Sequence, residues 1–154
     1  MGDIVHGRRI PLAEVDLSWL VGTAITTFRF HPPFFWVISF SSGGSISTDS
    51  DWRILSADCM VVSSVDHAQS FGLPEPLDSG ALASSATRMA TVSAVYVADS
   101  APDLELSLDS GLRFQVLAVS RGYECWQVAD PSGVVVVVDG DRNATQFERP
   151  KSEL

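Results

Sequence analysis

The chain is poor in the residues that mark membrane segments and disulfide frameworks. No apolar run exceeds five residues, as in the valines at 134–138, whereas a membrane-spanning helix needs about 20. The opening "MGDIVHGRRIPLAEVD" has no apolar stretch typical of a secretory signal, so we expect a soluble, cytoplasmic protein. The two cysteines, Cys59 and Cys125, form no CxxC pair. We expect both to be small buried apolar residues, with a disulfide between them as the alternative.

Sequence signatures of catalysis, metal binding and nucleotide binding are also missing. The histidines His6, His31 and His67 lie at no metal-ligand spacing from one another or from a cysteine. The segment "SSVDH" at 63–67 has no G-x-S-x-G turn, and "SSGGS" lacks the lysine and the following helix of a P-loop. We therefore expect a protein that is not an enzyme and that has no catalytic residue, cofactor or bound metal.

Positive charge is scarce, which argues against polyanionic partners. The chain has ten basic residues against 19 acids, and its net charge is −9. The arginines are scattered, whereas nucleic-acid binding needs a basic patch combined with aromatic residues. An acidic surface repels nucleic acid and anionic membranes and attracts basic proteins. We expect a protein partner, and neither nucleic acid nor a membrane.

The strongest pattern in the sequence is an internal repeat with a period of two residues. The segment "FWVISFSSGGSIST" (35–48) aligns with "DLELSLDSGLRFQV" (103–116) at an offset of 68. Upstream, "AITTFRF" (24–30) aligns with "TVSAVYV" (91–97) at an offset of 67. Apolar and polar residues alternate in both copies, which is typical of a strand with one face in the core. The "SSGG" and "DSG" segments supply the residues of tight hairpin turns.

Each copy therefore predicts a strand, a loop, a strand, a tight turn and a third strand. Further strands at 59–65 and 134–138 bring the total to eight to ten. The unbroken valine run predicts a strand that is covered on both faces or one that is central in its sheet. Short helices are predicted in 12–20 and 78–90, each before the first strand of a copy. The predicted fold is all-β, or a β-rich α+β fold. Duplicated antiparallel units would form a sandwich or a partly closed barrel, with one or two short helices.

Length and composition are those of one globular domain. At 154 residues a chain can bury roughly 68–70% of the surface of its unfolded form. We predict a single domain over 1–154, with two similar halves at about 20–65 and 82–138 and a frayed polar tail at 139–154. The predicted core consists of apolar residues on the inward faces of the strands: Trp36, Ile38, Phe40, Leu104, Leu106, Leu108, Phe114 and Trp126.

The segment "GYECWQV" at 122–128 combines two aromatic residues, an acid and a thiol. Regular alternation would place Glu124, Trp126 and Val128 on one face of a strand. A tryptophan follows the third strand in each copy, Trp52 and Trp126, and we interpret both as core packing. The second copy has about six more residues before its tryptophan. A partner surface is the alternative, since Trp and Tyr are frequent interface anchors.

Negative charge is concentrated in residues 99–141, which hold eight acids and two arginines. A solvated face is the simplest interpretation, and a surface for a basic protein is the functional one. The predicted partner-binding residues are acids and aromatic residues of this segment: Asp99, Asp103, Glu105, Asp109, Tyr123, Glu124, Trp126 and Asp130. The "HPPFF" loop at 31–35, with Phe34 and Phe35 at its tip, is the alternative contact surface.

The alternating strand at 104–116, followed by "YECWQV", resembles a family of small bacterial β proteins. Members repeat an apolar-x-apolar-x-apolar unit, an Asp-Gly-like turn and an apolar-x-apolar unit, and then show Tyr-Glu-x-Trp, here Tyr123, Glu124 and Trp126. With the first copy, the resemblance covers roughly 20–128. The turn departs from the family pattern, because "DSG" and "SSGG" replace Asp-Gly.

The resemblance implies no catalytic residues, and it connects the chain with immunity partners of secreted bacterial toxins. Several small acidic proteins of this kind look like such immunity proteins. Two non-enzymatic functions therefore stay open. One is a protein that neutralises a basic toxin through an acidic surface. The other is an accessory or scaffold protein, or a small-ligand binder.

Overall fold

The computed structural model of the protein describes residues 7–148, and within them the chain forms twelve strands and one α-helix. The strands are β1 (Arg8–Pro11), β2 (Ile25–His31), β3 (Phe35–Phe40), β4 (Ser45–Thr48), β5 (Trp52–Leu55), β6 (Met60–Ser63), β7 (Val92–Val97), β8 (Leu104–Leu108), β9 (Arg113–Val116), β10 (Glu124–Ala129), β11 (Val135–Asp139) and β12 (Asn143–Phe147). The helix is α1 (Ser79–Ala86), and 3-10 turns lie at Leu12–Glu14, Ser18–Leu20 and Ser64–Asp66.

The strands form two antiparallel sheets that pack face to face. The first has seven strands in the order β1-β12-β11-β10-β4-β3-β2, and the second has five in the order β6-β5-β9-β8-β7. Aromatic rings join the sheets: the Phe28 ring lies 5.1 Å from that of Trp52 and 5.6 Å from that of Phe114, between centroids. The β-rich antiparallel fold is confirmed, and of the two predicted arrangements the structure has the sandwich.

The core of the sandwich contains every residue that the alternation assigned to it. All eight predicted core side chains are less than 5% exposed: Trp36, Ile38, Phe40, Leu104, Leu106, Leu108, Phe114 and Trp126. The burial of β3 and β8 alternates with the period of two read from the sequence. The inward faces of β3 and β8 are thus set by the pattern of apolar residues in each strand.

The chain changes sheets at the same point in both halves. Strands β2, β3 and β4 form a meander in the first sheet, and β5 then crosses to the second sheet and pairs with β9. Strands β7, β8 and β9 form a meander in the second sheet, and β10 crosses to the first sheet and pairs with β4. The crossover loops are residues 49–51 and 117–123. The additional residues of the second copy therefore lie in its crossover loop.

The two meanders share local hydrogen bonds at matching positions. In the β3–β4 hairpin the Gly43 N–H donates to the Phe40 carbonyl, and in the β8–β9 hairpin the Gly111 N–H donates to the Leu108 carbonyl, both at 3.0 Å. Both glycines have positive φ, 99° and 92°, which glycine adopts without the steric penalty of a Cβ. The predicted tight turns at these two places are confirmed.

Of the two predicted helices, the one in 78–90 is present and the one in 12–20 is not. Helix α1 begins after Asp78, whose Oδ1 accepts a hydrogen bond from the Ala81 N–H at 3.0 Å as an N-cap does. The helix is shorter than the predicted 78–90. The predicted helix in 12–20 was wrong, because the chain there makes two separate 3-10 turns with the non-helical residues 15–17 between them.

The predicted frayed tail at 139–154 is corrected for its first part. Strand β12 pairs with β11 on one side and β1 on the other, and Ala144 is fully buried. Twelve strands replace the eight to ten predicted, since β1 and β12 were both missed. The valine run forms β11, an inner strand of the first sheet, and only alternate residues of β11 are buried, so it is not covered on both faces. Residues 149–154 and His6 lie outside the described residues.

The two cysteines occupy different environments. Cys125 is buried, as expected, and burial raises the pKa of its thiol. Cys59 is exposed in the turn between β5 and β6, so its predicted burial was wrong. Both are free thiols, and the disulfide alternative is not realised.

Candidate functional site

Trp126 belongs to the core and not to a partner surface. Its side chain is fully buried, and its Nε1–H donates to the Pro102 carbonyl at 2.7 Å. The ladder between β10 and β11 shifts register between Glu124 and Trp126, which is a β-bulge. The bulge lets both Cys125 and Trp126 face the core while Glu124 is exposed. The prediction that Glu124 and Trp126 share a face is therefore corrected.

Several of the predicted acidic residues bind the chain's own loops. Asp103 Oδ1, directly before β8, accepts from the Ala118 N–H, just after β9, at 2.7 Å. The Asp109 carboxylate accepts from both the N–H and the hydroxyl of Thr91 at 3.0 Å, and these bonds lower the pKa of Asp109. These carboxylates stabilise turns, which is a structural role that leaves their charge in place.

The remaining predicted acids are dispersed over the molecule. Glu105, on the outer face of β8, accepts from Gln115 Nε2 at 2.6 Å and lies 3.4 Å from Arg113 Nη1. Asp130 closes the β10–β11 turn by accepting from Ser132 and Val134, and it lies at the opposite end of β10 from Glu124. Asp99 lies exposed in the loop between β7 and β8. The structure thus does not gather the predicted acids into one cluster.

Tyr123 and Glu124 lie apart from the other predicted acids and beside Asp49 and Asp51 of the first half, because the two crossover loops are neighbours in space. One cleft at this place has a volume of about 360 Å³, and we call it the tyrosine cleft. It is lined by residues 49–51, Val119, Ser120, Tyr123 and Glu124. We define the crossover surface by the acidic and apolar side chains at this end of the sandwich: Phe34, Asp49, Asp51, Val119, Tyr123 and Glu124.

The crossover surface exposes large apolar side chains. Phe34, Val119 and Tyr123 are 64%, 73% and 81% exposed. Isolated exposed apolar residues need no explanation, but an apolar group rimmed by polar residues is typical of an interaction site. An aromatic ring such as that of Tyr123 is a frequent anchor in protein interfaces.

The carboxylates of the crossover surface have no cationic partner among residues 7–148. The salt bridges in this part of the chain join Arg9 to Asp139 and Asp141, and Arg113 to Glu105. The pKa of Glu124 is raised, chiefly by partial burial of its carboxyl group and further by repulsion from Asp49 and Asp139. A cation placed here would relieve this repulsion.

A second cleft, of about 150 Å³, shares residues 49–51 with the tyrosine cleft. We call it the histidine cleft, because His67 lines it together with Phe30, Phe34 and Trp36. His67 Nδ1 accepts from the Ser79 N–H at 3.2 Å, and the Ser63 hydroxyl donates to Asp66 at 3.1 Å. The hydrogen bonds of "SSVDH" thus fix the loop that leads to α1.

The two matched tryptophans differ in hydrogen bonding. Trp126 Nε1 is satisfied by the Pro102 carbonyl, whereas Trp52 Nε1 is buried and has no hydrogen-bond partner in the described structure. At an offset of 68, the residue that matches Pro102 is Phe34. The loop that carries Phe34 therefore does not reach its tryptophan as the matching loop does.

Residues 7–148 contain neither a metal-binding cluster nor a membrane-spanning helix. This part of the chain holds no group of three or more His, Cys, Asp or Glu side chains arranged to bind a metal ion. It also holds no helix with the length and apolar character required to cross a bilayer. Comparison of the chain with protein-family models, with curated proteins and with solved structures gave no match in any of the three.

Sequence reasoning found Tyr123, Glu124 and, as an alternative, Phe34, but it missed Asp49 and Asp51. The two aspartates lie outside the acidic segment 99–141, and only the crossing of the sheets brings them to Glu124. The internal repeat nevertheless indicated that residues 49–51 match the loop before Tyr123. Residues 49–51 follow the third strand of the first copy, as 117–123 follow the third strand of the second.

Proposed function

We propose that the protein is a non-enzymatic binding protein whose crossover surface contacts a basic protein partner. The observation that carries the proposal is the juxtaposition of three carboxylates, each without a cationic partner among residues 7–148, with three exposed apolar side chains. The apolar side chains supply area to bury, and the carboxylates attract and orient a cationic surface.

The partner class follows from charge and from the sequence resemblance. A net charge of −9 favours a basic protein through long-range attraction. The resemblance to toxin-immunity proteins supports a finer proposal, in which the partner is a basic bacterial toxin that this protein neutralises in the cytoplasm. Binding of this kind requires no cofactor and no catalytic group.

The test compares two variants of equal charge. The triple variant Asp49→Lys, Asp51→Lys and Glu124→Lys reverses the crossover surface. A control reverses three exposed acids elsewhere, Glu14, Asp58 and Glu75, of which Asp58 lies beyond the opposite end of β5. A partner isolated on the wild-type protein should associate at least tenfold more slowly with the triple variant than with the control.

Salt gives the second arm of the test. Because the Debye length shortens from about 10 Å at 0.1 M salt to 3 Å at 1 M, the association rate should fall as salt rises. Replacing Tyr123 by Ala should mainly accelerate dissociation, since it removes buried contact area and not charge. A partner whose association rate is indifferent both to salt and to the triple reversal would refute the proposal.

A further inference from the structure

The two sheets have four edge strands, β1, β2, β6 and β7. The free N–H and C=O groups of an edge strand can pair with another chain unless charge, proline or a covering element prevents it. Strand β1, "RRIP", carries two arginines and a proline. Helix α1 packs against both β2 and β6: a Cβ on Gly80 would lie 2.8 Å from the Phe28 carbonyl oxygen, and the Ser79 hydroxyl donates to the Ser63 carbonyl. Three of the four edges are therefore protected.

Strand β7, "VSAVYV", is the unprotected edge. It contains no charged residue and no proline, and Tyr96 is 56% exposed. At its start, residues 22–23 form hydrogen bonds with the backbone N–H and C=O of Val92, both at 2.8 Å, and the strand has a bulge between Val92 and Ala94. Beyond this covered start, β7 pairs only with β8 among residues 7–148. Its other edge is open over 93–97.

The hydrogen-bond pattern of β7 shows which groups face the open edge. Bonded and non-bonded residue pairs alternate along an antiparallel ladder. The Ala98 N–H donates across the ladder to the Asp103 carbonyl at 2.9 Å, so Tyr96, two residues earlier, also directs its backbone groups at β8. The N–H and C=O groups of Val95 and Val97 consequently point away from β8. They form a row of two donors and two acceptors without a backbone partner among residues 7–148.

We propose that β7 pairs antiparallel with β7 of a second copy of the chain, about a two-fold axis at Tyr96. The inference goes beyond the proposed function and does not depend on it. In this register Val95 of each copy exchanges both of its hydrogen bonds with Val97 of the other, so every outward group of the row is satisfied. The interface is self-complementary, as two-fold symmetry requires, and it joins the two five-stranded sheets into one continuous sheet.

Charge and length favour a second copy over a strand of the basic partner. Residues 91–98 include no charged residue, so β7 meets itself without direct repulsion although the chain has a net charge of −9. The first acid beyond them, Asp99, would lie opposite Ser93 and not opposite another carboxylate. Strand β7 ends at Val97, so the second copy leaves the edge where residues 22–23 begin to cover it. A basic partner would find no carboxylate within this strand.

Disulfide trapping in the complete protein tests the register. All variants carry Cys59→Ser, which removes the exposed thiol. Across the axis, the two Tyr96 residues would form a non-bonded pair with Cα atoms about 4.5 Å apart, a separation that a disulfide can bridge. Tyr96→Cys should therefore give a covalent dimer on mild oxidation. Ala94→Cys is also exposed but would lie opposite Ala98, so it should stay monomeric. Equal cross-linking of the two variants would overturn the proposed register.

Sedimentation velocity tests reversible association of the chain without added cysteines. A single strand pair is a small interface, so the sedimentation coefficient should rise as protein concentration increases from about 10 µM to about 1 mM. Val97→Pro removes an N–H that faces the open edge and not β8, a place where a strand tolerates proline. Val97→Ala also shortens the side chain but keeps the N–H. The dimer dissociation constant should be at least tenfold higher for Val97→Pro than for Val97→Ala, while dispersed amide signals report an intact fold.

A charge at the axis gives an independent variant. Tyr96→Lys would place two like charges opposite each other and should abolish the dimer. Phe71→Lys makes the same change of charge at an exposed aromatic residue in the loop before α1, and it should leave the dimer in place. In the wild-type protein, the amide signals that shift with concentration should be those of residues 93–99. A protein that stays monomeric at about 1 mM, or shifts confined to other residues, would overturn the proposal.

Discussion

At the scale of single residues, the two matched tryptophans offer a direct comparison. Trp126→Phe removes the donor to the Pro102 carbonyl and leaves that acceptor unpaired. Trp52→Phe removes a donor that already lacks a partner. Both changes delete similar volume from a fully buried position. Urea denaturation should therefore show a loss for Trp126→Phe about 1–3 kcal/mol larger than that for Trp52→Phe. Equal losses would mean that the Trp126 bond contributes nothing net.

Glu124 and Asp109 predict opposite effects of pH on stability. The pKa of Glu124 is raised, so its stabilising contribution is present below its ordinary value of 4.5 and is lost as pH rises through the raised pKa. The pKa of Asp109 is lowered, so its contribution is present above its ordinary value of 3.8 and is lost as pH falls through the lowered pKa. Melting temperatures measured as a function of pH should show Glu124→Gln removing a decline on the alkaline side of 4.5. Asp109→Asn should remove a decline on the acid side of 3.8.

At the scale of elements, strand β8 shows how far the alternation determines burial. Leu106 is fully buried at the centre of β8, and its neighbour Ser107 lies on the outer face. Leu106→Ala should cost about 2–5 kcal/mol of unfolding free energy, the range found for core leucines. Ser107→Ala should change it by less than about 0.5 kcal/mol. A similar small loss for both would show that the inner face of β8 is loosely packed.

Strands with strict alternation could be predicted from sequence, and strands defined by distant pairing could not. In β3 and β8 the pattern itself specifies the buried face. Strand β12, "NATQF", buries only Ala144 fully and exists because β11 and β1 pair with its two edges. The bulge before Trp126 is another tertiary feature, since an extra residue in a ladder leaves no mark in the alternation.

The candidate site was predictable only where it belongs to one segment. Tyr123 and Glu124 are neighbours in sequence, and their aromatic and acidic character drew attention to them. Asp49 joins Glu124 only because β4 pairs with β10, although 75 residues separate the two acids. The residues around each acid in the sequence do not indicate that the two acids are neighbours in space.

At the scale of the whole molecule, the crossed strands make the halves interdependent. Strand β5 of the first half pairs with β9, and β10 of the second half pairs with β4. A separated half would expose one edge of its meander. Its crossing strand would lose the meander that it pairs with, so β5 would keep only β6 as a neighbour and β10 would keep only β11. Separation would also expose the aromatic rings that join the two sheets. We therefore expect neither residues 1–70 nor residues 71–154 to fold alone.

Cutting the chain between residues 70 and 71, within the exposed connector, tests this interdependence. Each fragment alone should give the narrow amide chemical-shift range of an unfolded chain. An equimolar mixture should recover the dispersed spectrum, because all the pairings between β4 and β10 and between β5 and β9 can form without that peptide bond. Trp126→Ala in the second fragment should weaken reassembly, since it removes a fully buried ring from the shared core. A dispersed spectrum from either fragment by itself would show that one half carries a sufficient core of its own.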